Sequence, residues 1–258
     1  MNIRKLEFSD LSSLLELYTF LHASDDALPE QLVIEELWHG LEPPYSDLFA
    51  WIDGEADMPD VSNALSYLPV MLAHPLDEEK DLERITPQTH QAEWKWDGIR
   101  VQISANETGV KIFSRTGDDI SHSFPDLVEA IDFNAVLDGE LLVMSDDKIG
   151  SFNDLQQRLN KKKPSAKLIQ QLPAHFRAYD ILKLKHENLR TLPLQERREH
   201  LKAFISKLSE ERFSLSETLQ FETVTDLIAY REEASQSNGL LEGLMIKDQT
   251  STYVSGRP

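Results

Sequence analysis

The chain has 258 residues, and 40% of them are hydrophobic, which is enough to bury a core in one large or two ordinary domains. Because the sequence has no cysteine, disulfide frameworks, cysteine-ligated zinc, iron–sulfur clusters and thiol nucleophiles are excluded. No secretion-type segment opens the sequence, and nowhere do 18 uncharged apolar residues run together, so we expect a soluble cytoplasmic protein with no membrane partner.

The formal net charge of −19 is concentrated at the beginning of the chain. Residues 1–90 hold 4 basic and 19 acidic side chains, whereas residues 91–258 hold 22 basic and 26 acidic ones. The later part also contains a basic stretch between Arg158 and Lys167. Because lysine and arginine bind polyanions, this stretch is a candidate contact with nucleic acid, and a solvated helix end is the alternative interpretation.

Residues 1–64 are predicted to be an acidic N-terminal extension and linker. Residues 3–8 fit a strand, Ser9 and Asp10 fit the N-cap of a helix, and a second helix fits Pro29–His39. This beginning faintly resembles the start of the GNAT acetyltransferases. The glycine-rich loop with which that family binds the pyrophosphate of acetyl-CoA does not occur in the sequence.

Turn-forming residues mark the end of this extension. Residues 43–64 are acidic, rich in turn residues and without clear periodicity, which is typical of a linker. We therefore predict a domain boundary near residue 65.

The rest of the chain mixes strand-like and helix-like segments at irregular spacing. Residues 105–109 have the chemistry of a hairpin turn, and helical periods begin near Phe152, Pro193 and Val224. This irregular order predicts an α+β domain rather than a regular βαβ array. The strands are predicted at Ala92–Ser104, Val110–Ser114, Ala135–Met144, His175–Leu184 and Leu240–Lys247.

The segment from Glu93 to Arg100, with the sequence EWKWDGIR, contains the most informative residues. Alternate residues of a strand share a face, so Glu93, Lys95 and Asp97 are expected on one side of it. An unprotonated lysine amine can attack an electrophilic phosphorus or carbonyl, and neighbouring carboxylates can orient the amine or bind a metal. An ion-paired surface strand is the alternative.

Four further motifs follow in order, namely SRTG from Ser114, LDGEL from Leu137, FRAYDIL from Phe176 and EGLMIK from Glu242. Together with KWDG, they resemble the nucleotidyltransferase domain of ATP-dependent DNA ligases, whose superfamily also contains RNA ligases and mRNA capping enzymes. The resemblance runs from about residue 69 to residue 258, and the segments PVMLAHPL and SFNDLQQRL are similar to bacterial DNA ligases. It implies a domain over residues 65–258 with antiparallel-rich sheets flanked by helices.

The resemblance also implies a role for each matched residue. Lys95 would attack the α-phosphate of ATP, release pyrophosphate and hold AMP as a phosphoramidate, before AMP passes to the 5′-phosphate of nicked duplex DNA. The other matched residues would bind the nucleotide or Mg²⁺: Glu93 at the adenine amino group, Tyr179 stacked on adenine, Arg100 and Arg115 near ribose and phosphate, Glu140 and Glu242 at the ribose and the metal, Lys247 at a phosphate, and Asp97 and Gly98 within the same site.

The resemblance is incomplete at both ends of the domain. The family continues past the position of Arg257 into a lysine-rich strand and an OB-fold domain, and bacterial relatives carry a helical DNA-binding domain before the motifs. We therefore expect a monomer that binds nicked DNA weakly and whose sealing is crippled by the absence of the OB-fold. An RNA ligase or capping-type enzyme and a non-catalytic nucleotide-binding remnant are the alternatives.

Overall fold

The structure of the protein, a computed structural model, describes residues 31–41, 43–61, 63–78, 80–146 and 148–257. The strand and helix predicted between residues 3 and 21, and with them most of the GNAT-like beginning, lie outside these residues. The chain divides into two compact units between Pro69 and Val70. Among the described residues, the structure has no helix with the length and apolar character that a membrane crossing needs.

Between residues 31 and 69, the described part of the first unit contains two helices, α1 (Gln31–Gly40) and α2 (Ser46–Ile52). Helix α1 confirms the predicted helix over Pro29–His39 within the described residues. The indole of Trp38 stacks on the ring of Tyr45, with 4.3 Å between the ring centroids.

Helix α2 shows that the linker prediction for residues 43–64 was wrong over this part. Leu48 and Ile52 are four residues apart and therefore share a helix face, where both are buried against α1. The exposed Asp47 and Asp53 flank this short apolar pair. Because the segment is acidic overall, the helix could not be recognised from its composition.

The second unit consists of two sheets and their flanking helices. The strands are β1 (His90–Trp96), β2 (Ile99–Asn106), β3 (Gly109–Ser114), β4 (Ala135–Ser145), β5 (Lys148–Ile149), β6 (Ala174–Leu184), β7 (Glu187–Asn188), β8 (Phe213–Leu215), β9 (Thr218–Leu219) and β10 (Leu241–Asp248). The helices are α3 (Pro125–Val128), α4 (Phe152–Leu159), α5 (Ala166–Gln171), α6 (Leu194–Ile205) and α7 (Val224–Ser235).

The larger sheet has the order β3-β2-β4-β6-β7, with β5 paired to β4 and β8 paired to β6, and the smaller sheet has the order β10-β1-β9. All the strand pairs are antiparallel except β6 with β8. The predicted α+β class with antiparallel-rich sheets is therefore confirmed. The β2–β3 hairpin also forms as predicted, with Asn106 paired to Gly109 and the Asn106 carboxamide accepting a hydrogen bond from the backbone N–H of Thr108.

One predicted strand, Ala92–Ser104, is two strands that belong to different sheets. The break falls at Asp97 and Gly98, between β1 and β2. A Cβ atom on Gly98 would lie 2.6 Å from the carbonyl oxygen of Leu141 and 2.7 Å from Cγ of Glu140, so glycine allows the chain to pass close to β4 at this point. Because the residues on both sides favour strands, the sequence did not reveal the change of sheet.

The larger sheet has one apolar and one polar face. Alternate residues of β2, β4 and β6, among them Val101, Leu137 and Phe176, are fully buried in the main core. The other face carries Arg100, Asp138, Glu140 and Tyr179, and we call it the polar face. Cross-strand pairing of Arg100 with Glu140 brings two of these side chains side by side.

Candidate active site

The strand pair β1–β10 lies against the polar face of the larger sheet. The Nζ atom of Lys247 on β10 is 4.9 Å from the centroid of the Tyr179 ring on β6. Lys95 and Asp97, at the end of β1, are also close enough to Glu140 on β4 for their charges to affect its pKa. The two sheets thus enclose one site, built from motifs that are far apart in the sequence.

Lys95 forms an ion pair with Glu242 at the open side of this site, where the two side chains are 46% and 45% exposed. The register of β1 and β10 shifts between Lys95 and Trp96, next to the pairing of Lys95 with Gly243. Gly243 has a φ of 140°, a conformation that favours glycine. Because such an irregularity redirects side chains, it brings Glu242 against Lys95.

Glu93 is buried, with 1% of its surface exposed, although it lies on the same strand as the exposed Lys95. Its Oε1 atom accepts hydrogen bonds of 2.8 Å from Nζ of Lys247 and from Nε2 of Gln91. Glu93 and Lys247, which were predicted to contact the adenine and a phosphate of the nucleotide, therefore contact each other in this structure. Asp97 lies beyond the end of β1, and its backbone N–H donates to the carbonyl of Leu240.

Arg100 is held by Asp138, an acidic residue that was not among the site residues predicted from the sequence. The guanidinium donates hydrogen bonds of 3.1 and 2.7 Å to the two carboxylate oxygens of Asp138, and a third of 2.7 Å to the carbonyl of Met71. The hydroxyl of Tyr253 also donates to Asp138. Asp138 is two residues before Glu140, so the alternation of β4 was a signal that placed it on the same face.

Glu140 is half-buried on the polar face. Burial raises the pKa of its carboxyl to about 8, an effect that Arg100 opposes and Asp138 reinforces. A cation beside Glu140 would favour the charged carboxylate, and oxygen ligands suit Mg²⁺. Within the described residues, no group of three or more histidine or acidic side chains is arranged to hold a metal ion, so Glu140 and Glu242 would need phosphate or water oxygens to complete a coordination shell.

The ring of Tyr179 is near two cations, Lys247 and Arg100. The Cζ atom of Arg100 is 5.8 Å from the ring centroid, on the same polar face. Arg115 is exposed in the turn after β3, and the pairing of Ser114 with Val101 places this turn beside the start of β2. The structure thus brings together Glu93, Lys95, Glu140, Tyr179, Glu242 and Lys247 and leaves Arg115 at the edge.

The basic stretch from Arg158 to Lys167 is not one continuous surface. Arg158 is fully buried, where it donates hydrogen bonds of 2.5 Å to Asp126 and 2.6 Å to the carbonyl of Leu172. It is therefore part of the core, and the prediction that it contacts nucleic acid was wrong. The lysines of the stretch, from Lys161 to Lys167, are exposed.

Comparison with known proteins shows similarity to DNA ligases over the second unit. The family model described as the ATP dependent DNA ligase domain matches residues 70–258. A probable DNA ligase from Koribacter versatilis is 35% identical over 185 residues, which are 63% of this chain and 32% of that protein. The DNA ligase of Archaeoglobus fulgidus is 30% identical over 174 residues, which are 66% of this chain and 30% of that protein. The chain therefore spans about a third of the length of these curated relatives.

Solved structures agree on the fold. A mycobacterial DNA ligase D complexed with ATP and MES superimposes with a TM-score of 0.57 at 26% identity, covering 73% of this chain and 56% of that chain. The ATP-dependent DNA ligase of bacteriophage T7, in complex with ATP, has a TM-score of 0.55 at 20% identity, which supports the fold only. The family model covers most of the chain, including every motif residue of the site, and the chain belongs to the ATP-dependent DNA ligase domain family.

Proposed function

We propose that residues 65–258 are the adenylylation domain of an ATP-dependent DNA ligase and that Lys95 is its nucleophile. The observation that carries this proposal is the position of Lys95, an exposed amine in contact with Glu242 and facing the polar face that holds Glu140 and Tyr179. The alternative interpretation, an ion-paired surface strand, accounts for the contact with Glu242 but not for the closeness of Lys95 to the polar face.

The proposed reaction transfers one nucleotidyl group. The unprotonated Nζ of Lys95 forms a bond to the α-phosphorus of ATP, the bond from that phosphorus to the pyrophosphate oxygen breaks, and pyrophosphate leaves. The nitrogen then loses one proton to water, which leaves the phosphoramidate. Mg²⁺ held by Glu140 and Glu242 would neutralise charge on the phosphate oxygens.

The rest of the site suits an adenine nucleotide. The ring of Tyr179 offers a stacking surface, and Lys247 lies within 4.9 Å of its centroid, where its charge can reach a phosphate. Burial of Glu93 protects a carboxylate that can accept a hydrogen bond from an amino group. Arg115 stays a predicted phosphate contact, and the engagement of Arg100 by Asp138 favours a role in shaping the polar face.

The proposed nucleic-acid substrate is nicked duplex DNA. The exposed lysines between Lys161 and Lys167 are candidates for phosphate contacts, because phosphate binding requires accessible cations. Binding through them would weaken as salt is added. The cytoplasmic location, the monomeric state and the weakness of DNA binding stay predictions from the sequence.

The test is incubation with Mg²⁺ and ATP labelled on the α-phosphate, followed by denaturation and peptide mapping. Label retained on the peptide that contains Lys95 would support the proposal, and the same label from GTP instead of ATP would favour a capping-type enzyme. Reversible ATP binding with no covalent label would favour the non-catalytic alternative. Sealing of a nick in RNA, but not in DNA, would favour an RNA ligase.

The proposed domain boundary has a test of its own. A chain that begins at residue 65 should keep the unfolding transition of the second unit, because that unit contains its own core. Global unfolding of this shortened chain by circular dichroism would contradict the boundary.

A further inference from the structure

The contacts of Glu93 are all made by one of its two carboxylate oxygens. Lys247, Gln91 and Arg198 approach Oε1, at 2.8, 2.8 and 3.6 Å, respectively. No hydrogen-bond donor contacts Oε2 among the described residues. Because a buried carboxylate is normally hydrogen-bonded, this oxygen is suited to accept a bond from a ligand.

Arg198 is the contact that comes from outside the strands of the site. It lies on α6, is about nine-tenths buried and donates a hydrogen bond to the carbonyl of Ser216. Its Nη1 atom, the one nearest to Glu93, is buried without a hydrogen-bond partner, and so is the hydroxyl of Ser216. Arg198 therefore reaches Glu93 through an ion pair of 3.6 Å and not through a hydrogen bond.

The position of Arg198 is fixed by the way α6 begins. The backbone N–H groups of Leu194 and Gln195 donate to the carbonyls of Ser251 and Gln249, which follow β10. The neighbouring Arg197 donates two hydrogen bonds of 2.9 Å to the carboxylate of Asp180 on β6. Helix α6 is therefore tied to both β6 and the segment after β10, the elements that carry Tyr179 and Lys247.

The two cations near Glu93 have different proposed tasks. If Lys247 contacts a phosphate when the nucleotide is bound, it leaves Oε1 of Glu93. Arg198 is then the cation that remains beside this buried carboxylate, and a buried charge without a partner is strongly unfavourable.

We propose that Arg198 is a positioning residue for base recognition, which holds Glu93 so that its Oε2 atom accepts a hydrogen bond from the amino group of adenine. A purine with a carbonyl oxygen at the same position would place two acceptors against each other and would be rejected. This inference rests on the proposed function, in which the substrate is an adenine nucleotide.

The experiment compares equilibrium binding of ATP and inosine triphosphate by titration calorimetry. Inosine triphosphate differs from ATP in carrying a carbonyl in place of the amino group. The wild-type chain should prefer ATP by about tenfold or more, the scale of a hydrogen bond to a charged group. Arg198→Lys should reduce this preference by roughly fivefold, because the shorter ammonium cannot reach both Ser216 and Glu93.

Three further variants separate positioning from a merely structural role. Glu93→Gln should abolish the preference, because an amide can donate as well as accept. Arg198→Lys should then have no further effect on the preference in the Glu93→Gln background. Arg212→Lys is the matched control, since it is a largely buried arginine that contacts Asp126 and the carbonyl of Ala174 instead of Glu93, and it should leave the preference unchanged even if the melting temperature falls.

The proposal would be overturned if Arg198→Lys weakened both nucleotides equally, or if it lowered the preference as much in the Glu93→Gln background. Arg198→Met keeps most of the apolar stem of the side chain without its charge, and if neither Arg198 variant folded, the residue would be structural and the proposal would be overturned. Because binding is measured without catalysis, a lack of covalent label on Lys95 would contradict only the proposed function. A wild-type chain that bound neither nucleotide would contradict both.

Discussion

Arg100 and Asp138 form a bidentate ion pair on the polar face of the larger sheet, with hydrogen bonds of 3.1 and 2.7 Å. The Asp138 carboxylate also accepts a hydrogen bond from Tyr253, near the end of the chain. One buried acid therefore joins β2, β4 and the segment after β10 beside the proposed reaction centre. Such a pair is costly to break, because Arg100, whose side chain is only 21% exposed, would lose its bidentate carboxylate partner.

We expect Asp138→Ala to lower the free energy of unfolding by about 3–5 kcal/mol, the range for removal of one partner of a buried ion pair. Urea unfolding followed by circular dichroism measures this change. Asp132→Ala, at an exposed acid before β4, is the control and should change the free energy by less than about 0.5 kcal/mol. If Asp138→Ala lowered the free energy of unfolding no more than the control does, the ion pair would contribute little to stability.

We expect Lys95→Ala to abolish the covalent protein–AMP adduct and to leave the unfolding curve unchanged. The side chain is nearly half exposed, so its removal has a small effect on stability. Intact-protein mass spectrometry after reaction with ATP and Mg²⁺ measures the adduct. Lys148→Ala, an exposed lysine on β5, should form the adduct as the wild type does. An undiminished adduct in the Lys95 variant would exclude this residue as the nucleophile.

We expect Tyr179→Ala to weaken ATP binding by about 1–2 kcal/mol, the scale of an aromatic stack on a base. Titration calorimetry gives the dissociation constant. Tyr179→Phe keeps the ring and should bind ATP nearly as well as the wild type, which separates stacking from any contribution of the hydroxyl. Equal affinity of the wild type and the alanine variant would assign the ring to packing instead.

We expect stability to fall as the pH is lowered from 6.5 to 4, in part because of His175. Burial lowers the pKa of this imidazole from 6.5 to about 4, while its ring nitrogens contact the carbonyl of Glu211 and the hydroxyl of Ser214. Between these values, the unfolded chain binds a proton that the folded chain does not bind, so the folded state loses up to roughly 3 kcal/mol.

The pH effect is measured as the difference in slope between variants. His175→Gln should have a flatter decline of unfolding free energy over this pH range, whatever its absolute stability. His186→Gln, at an exposed histidine, should keep the wild-type slope. Identical slopes in all three proteins would show that His175 is not responsible for the decline.

Local sequence signals were enough to predict most of the strands and helices. The motif residues lie within or beside strands, and the alternation of side chains along a strand predicted that Glu93 and Lys95 share one side of β1. Helices with a clear period, such as α4 and α7, also formed where they were predicted, and the first turn of each has a capping box. In α2 the apolar helical period is only two residues long and has acidic neighbours, so this helix was not predicted.

The pairing of these residues depended on contacts between distant parts of the chain. Glu93 and Lys247 are 154 residues apart in the sequence, and Arg158 and Asp126 are 32 residues apart. Neither contact can therefore be predicted from a local sequence pattern. The charge of Arg158 predicted an exposed side chain. In the folded chain, one carboxylate and two backbone carbonyls accept hydrogen bonds from its guanidinium, and these bonds allow it to be buried. Arg100, Arg158 and Arg198 are the same type of residue. Their surroundings differ because different strands and helices pack against each of them in the folded chain.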